Sequence, residues 1–197
     1  MPPLPPVTQA LILINLGMFC LQIVLGFLVD RYLALWPIGG GFLPWQIVTY
    51  AFLHGGFAHL LFNMFGLWQF GWELERLWGQ KRFLQFYMAS VLSAAGLQLV
   101  VSWVTGANFP VVGASGALFG LLMGYAMLFG ERVMMPLIPP IPMKARTFAI
   151  IYGVAELFFG FTGWLPGIAH FAHLGGMLGG WLMIRYWRGQ PPFGKRR

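Results

Sequence analysis

Residues 52–72, FLHGGFAHLLFNMFGLWQFGW, form a run long and apolar enough to cross a bilayer, yet they carry His54, His59, Asn63 and Gln69. A spanning helix needs about 20 mostly apolar residues. A strongly polar side chain inside such a span costs free energy, so each is a functional suspect by default. The rest of the 197-residue chain supports reading the run as a span. Hydrophobic residues make up 58% and charged residues 9%, against roughly 25% charged in a soluble domain. That composition excludes a soluble enzyme and a disordered chain. Cys20 is the single cysteine, so no intrachain disulfide can form.

Five further apolar runs flank this one, near 9–29, 83–104, 112–130, 147–164 and 168–187. The first is too long for the apolar region of a signal peptide, no Lys or Arg precedes it, and no small-x-small cleavage site follows. Residues 30–51, rich in Trp, Gly and Pro, read as an interfacial stretch. With six spans, one side of the membrane receives Arg76, Lys81 and Arg82, then Arg132, Lys144 and Arg146, then Arg185, Arg188, Lys195, Arg196 and Arg197. Only Arg31, of 12 basic residues, falls on the other side. The positive-inside rule therefore predicts an all-α membrane protein of six transmembrane helices with both termini cytoplasmic, in one domain over 1–197. The net charge of +7 is then a topology signal and not a nucleic-acid footprint.

The polar groups inside the runs are few. Ser90 and Ser93 are expected to bond back to their own helix. His59 and Asn63, four apart, share a helix face; His54, five residues earlier, is expected about 140° away around the helix. Ser115 opens the fourth run, followed by Gly116, Gly120 and Gly124. His173 lies in the sixth, followed by Gly176 and Gly180. Such glycine faces let two backbones approach closely, and two helices meeting through them can bring Ser115 and His173 into hydrogen-bond reach. Ser115 is then a candidate nucleophile, His173 its general base, and His59 with Asn63 candidate oxyanion donors. Each motif alone is more often a packing device.

Taken together these residues resemble the rhomboid family of intramembrane serine proteases. His54-x4-His59-x3-Asn63-Met64 is similar to its second-helix motif, Gly113-Ala114-Ser115-Gly116 to its nucleophile motif, and Ala172-His173-Leu174-Gly175-Gly176-x3-Gly180 to its last catalytic helix. Residues 139–145, PPIPMKA, resemble the fourth loop of bacterial members, and Trp45 sits where the family carries a Trp-Arg pair. The resemblance implies a rhomboid-like bundle, a Ser115–His173 dyad with no third acid, and an oxyanion hole of His59, Asn63 and the Ser115 backbone N–H. It implies transmembrane protein substrates, no cofactor, no metal, and residence in the cell's inner membrane as a multi-pass protein. Two positions depart from the pattern: Gln46 replaces the arginine after Trp45, and Phe119 stands where some members have a tyrosine against the catalytic histidine.

His170 is expected to be secondary or structural, and Glu156, the one acid inside a span, an interhelical contact. Phe158 and Phe159 are candidates for a lateral gate. An α/β-hydrolase is excluded because Ala117 breaks G-x-S-x-G. No H-E-x-x-H zinc motif occurs, and no Asp, Glu or Cys joins the four histidines at ligand spacing. The remaining alternatives are an inactive rhomboid-like binder and a proton-coupled transporter, the latter lacking the usual repeats.

Overall fold

The computed structural model describes residues 3–137 and 139–194; Lys195, Arg196 and Arg197, used above to orient the chain, lie outside the described residues. Helix α1 (Pro6–Leu25) starts on a proline, whose missing N–H is no loss at a first turn, and ends at Gly26. A short α2 (Phe27–Leu33) follows, then turns, α3 (Gln46–Thr49) and a 3-10 turn over Tyr50–Phe52. Next come α4 (Phe57–Thr105), α5 (Ser115–Phe129), α6 (Ala145–Thr162) and α7 (His170–Trp187). Between α5 and α6, β1 (Val133–Met134) pairs antiparallel with β2 (Met143–Lys144).

The second and third apolar runs are joined without a loop. Helix α4 runs 49 residues, and its helical geometry breaks only at Gly79, where φ is +76°. A residue with a side chain would be strained there, so this glycine marks the break between the two arms. Arg76, Lys81 and Arg82 cluster around it. The six long helical segments are thus α1, the two arms of α4, α5, α6 and α7. By length and composition α1, α4 and α6 could cross a membrane, and α5 is a shorter apolar helix.

Helix α7 packs on α4 and α5, α5 packs on α4, and α1 lies against α4; α6 touches α5 and α7 less extensively. The α5–α7 contact is backbone on backbone. A Cβ on Gly176 would stand 1.7 Å from the Gly116 carbonyl oxygen, and one on Gly180 would stand 2.6 Å from that of Gly120. The two glycine stripes face each other, as their spacing predicts.

Polarity is inverted relative to a soluble protein. Ile23, Val24, Trp103, Val154 and Phe161 are exposed, while Thr8, Asn15, Gln98 and Ser102 are buried. Each of these four buried residues has a hydrogen-bond partner inside the bundle. Ser90 Oγ bonds back to the Phe86 carbonyl at 3.0 Å, and Gln98 Nε2 donates to Ser102 Oγ at 3.2 Å. Glu75, at the far end of the first α4 arm, accepts from the backbone N–H groups of Val7 (2.9 Å) and Thr8 (2.7 Å) and from Thr8 Oγ1 (2.8 Å). It caps the N-terminus of α1 from another helix, where the helix dipole also favours an anion. Glu75→Ala leaves these donors unsatisfied and should destabilise the fold by about 2 kcal/mol; thermal unfolding in detergent, compared with Glu75→Gln, measures it.

The stretch between α2 and α4 is organised by Gln46, which is fully buried. Its Oε1 accepts from the N–H groups of Trp36 (3.2 Å) and Leu43 (3.1 Å), and its Nε2 donates to the Tyr32 carbonyl (3.3 Å). The residue that departs from the family pattern is therefore an internal hub of this segment. On the side of the basic segments, Arg132 pairs with Glu73, and Glu131 accepts from Lys144 at 2.8 Å and meets Arg146 at 3.0 Å. The Lys144 and Arg146 cations hold the Glu131 carboxyl below its ordinary range.

Candidate active site

The approach to α5 is pinned from two sides. Val111 exchanges both backbone hydrogen bonds with Leu35 at 2.9 Å, and the Gly113 N–H donates to the Tyr50 carbonyl at 2.9 Å. Tyr50 is itself anchored by its hydroxyl to the Val91 carbonyl at 2.9 Å. The chain turns at Gly113 with φ +133°, and Ser115 begins the helix. The first N–H groups of a helix have no partner within it and are aimed at whatever lies before the first turn.

Ser115 Oγ is 2.7 Å from His173 Nε2. The Phe119 ring, one turn after Ser115, stacks on the His173 imidazole, with centroids 4.3 Å apart and planes within 5°. The missing tyrosine hydroxyl does not prevent the stack. A Cβ on Gly113 would fall 2.8 Å from His59 Nε2 and 3.5 Å from Ser115 Oγ. The space that Gly113 leaves empty is therefore bounded by His59 and Ser115. The Gly55 N–H donates to His59 Nδ1 at 3.3 Å. In a neutral ring the proton then sits on Nε2, the nitrogen facing that space. Asn63 is buried, and its Nδ2 has no hydrogen-bond acceptor among the described residues.

Two cavities meet at Ser115. One, about 690 Å³, is lined by the 55–59, 109–112 and 167–169 segments with His59 and His173, at the helix ends opposite the basic segments. The other, about 300 Å³, is mostly apolar and runs between the first α4 arm and α6; Asn63, Phe62, Leu118, Phe148 and Tyr152 help line it.

The structure corrects the placement of His54. His54 is not on a helix: it precedes α4, whose cap is Gly56, so a helical wheel does not apply to it. Its ring packs edge-on against His59, 5.1 Å between centroids, rather than diverging. Glu156 makes the interhelical contact expected of it, to His170 on α7, and it also approaches His173. Its Oε2 lies 3.0 Å from His173 Nδ1, out of line for a hydrogen bond, and 2.5 Å from His170 Nδ1. A carboxylate thus joins two of the four histidines in space, though not at any sequence spacing that betrays ligands. Phe158 and Phe159 do not line either cavity at Ser115; they cluster with Trp164, and the α6 residues over the apolar cavity are Phe148 and Tyr152.

An apolar-surfaced helical bundle with a serine–histidine contact between two glycine-striped helices defines an integral membrane protein of serine-hydrolase-like geometry. Comparison with known proteins agrees. The model of the rhomboid domain matches residues 42–189. The chain is 34% identical over 138 residues to rhomboid protease GluP of Bacillus subtilis, covering 69% of this chain and 24% of the relative. It is 30% identical over 184 residues to rhomboid protease GlpG of Yersinia pestis, covering 92% of this chain and 62% of the relative. It therefore spans less than two thirds of either relative's length. The chain belongs to the rhomboid family.

Proposed function

We propose that this chain is an intramembrane serine endopeptidase that cleaves transmembrane protein substrates. In this proposal residues 1–197 act as one six-span domain of a bacterial inner membrane, with both termini cytoplasmic. The observation that carries it is the 2.7 Å contact between Ser115 Oγ and His173 Nε2, set beside a space bounded by His59. His173 takes the Ser115 proton as Oγ attacks the scissile carbonyl. The developing oxyanion lies toward His59 Nε2, Asn63 Nδ2 and the Ser115 N–H. His173 then protonates the leaving amine, and water repeats the sequence to release the acyl group.

Asn63 supports this reading. An unsatisfied amide in an apolar bundle costs about 1–3 kcal/mol, and an oxyanion formed only during reaction would supply its acceptor. The apolar cavity suits a substrate side chain, and the larger cavity gives a path for water. Substrate backbone must leave its helical hydrogen bonds before the carbonyl is open to attack, so helix-breaking residues near the scissile bond favour cleavage.

Labelling with a fluorophosphonate serine probe tests the proposal: label should reach the parent protein, vanish in Ser115→Ala and fall strongly in His173→Ala. Labelling that persists in Ser115→Ala would remove the proposed nucleophile. Asn63→Ala should lower kcat by roughly 100-fold with little change in KM, the signature of a donor used only in the transition state. Steady-state cleavage of a fluorogenic transmembrane peptide checks this.

A further inference from the structure

His170 and Glu156 lie outside the proposed dyad, yet they form a continuous polar chain with it through the bundle. The Leu165 carbonyl can only accept a hydrogen bond, and His170 Nε2 stands 3.2 Å from it, so Nε2 carries a proton. His170 Nδ1 is 2.5 Å from Glu156 Oε2. A contact that short needs a proton between the two atoms, since two lone pairs would repel. A proton on each ring nitrogen would make His170 a cation against the Glu156 carboxylate, a pair that is neutral as a unit. This balance lets a carboxylate sit 12% exposed in an apolar bundle without standing as a lone buried charge. Donor atoms 2.5 Å apart are spaced for a shared proton, whereas two ligands on one tetrahedral zinc stand about 3.3 Å apart.

The same Oε2 lies 3.0 Å from His173 Nδ1. Because His173 Nε2 accepts from Ser115, Nδ1 is the nitrogen that carries the ring proton, and the acid is the carboxylate next to it. We propose that Glu156 is a positioning residue for His173, and that His170 acts through it by keeping it ionised. The inference rests on the Ser115–His173 reading above. When the Ser115 O–H bond breaks, its proton moves to His173 Nε2 and the Oγ electron pair bonds to the substrate carbonyl carbon. The ring is then a cation with Glu156 Oε2 against its other nitrogen. When the ring gives that proton to the leaving amine, the pair returns to its starting charge. Glu156 gains and loses nothing.

A double-mutant cycle on the purified full chain in lipid nanodiscs, read with a fluorogenic transmembrane peptide, decides the matter. Glu156→Gln should lower kcat roughly 10- to 100-fold, less than the loss of a triad acid already held in line, with KM within about twofold. His170→Asn should lower kcat severalfold alone and have no further effect in the Glu156→Gln background, because its influence passes through the acid. A Glu156→Gln kcat equal to the parent's overturns the proposal. So do effects that multiply in the double variant, since His170 would then act independently. If Glu156→Gln fails to fold, Glu156→Asp serves instead: it keeps the charge and should retain at least a tenth of the parent kcat, and a lower value overturns the charge role. Fluorophosphonate labelling separates the two readings. Slowed but Ser115-dependent labelling of Glu156→Gln keeps the dyad and supports the positioning role, whereas an unlabelled parent protein would sink the dyad itself.

Discussion

Ser115→Ala is expected to reduce peptide hydrolysis by on the order of 10,000-fold or more, the largest loss available from any single side chain here. The reason is structural as well as chemical. Ser115 Oγ is within hydrogen-bond distance of His173 Nε2, and both cavities touch it. Removing the oxygen leaves His173 with no proton to take and leaves the substrate carbonyl facing a methyl group. The Phe119 stack, the Gly113 turn and the glycine contact involve other atoms and should persist. The variant should therefore keep the parent's unfolding temperature and still capture a transmembrane peptide, which crosslinking would show. Cleavage within tenfold of the parent would exclude Ser115 as nucleophile.

Gly176→Ala is expected to damage both folding and rate. The added Cβ would stand 1.7 Å from the Gly116 carbonyl oxygen, and that neighbour is backbone, which cannot rotate away. The helices must separate by more than 1 Å at a point one residue from Ser115 and three from His173. Overpacking of this kind costs about 1–3 kcal/mol. A 1 Å misplacement of reacting groups can cost about 100-fold in rate, so kcat should fall by at least that factor even where the protein folds. Gly96→Ala is the control: it lies in α4 with nothing within 4 Å of the added methyl, and there Ala is the better helix former by about 1 kcal/mol. The unfolding midpoint should fall in Gly176→Ala and hold or rise in Gly96→Ala, and kcat should fall only in Gly176→Ala. Equal behaviour would remove the α5–α7 contact as the device that sets the serine–histidine distance.

The helical segments were legible because lipid demands long apolar runs, and the glycine stripes because close backbone approach leaves no freedom of residue type. What escaped was azimuth and detour. Counting residues gives no direction for Glu156, so its reach to His170 and His173 was invisible across 14 and 17 positions of sequence. His54 was misplaced because two glycines delay the start of α4, and helical geometry was extended backwards over them. Gly79 allowed two runs to join without a loop, which hydropathy cannot distinguish from a short one. Gln46 was visible only as a departure from the Trp-Arg pattern; that its buried amide ties Trp36, Leu43 and Tyr32 together was not legible from its neighbours in sequence.

Helix α1 is fastened differently from the rest. Only Thr8, Leu11 and Asn15 of its 20 residues are buried, and it is tied at its ends, by Glu75 at the start and by Gln22, whose amide oxygen accepts from the His54 N–H at 2.8 Å, near its finish. In lipid the apolar flank between those ties gains little from contact with its neighbour. Pulled from its beginning, such a helix would come away like a strip held by two rivets, one rupture at a time, while α5 and α7, locked tooth to tooth along their glycines, would have to be sheared apart together.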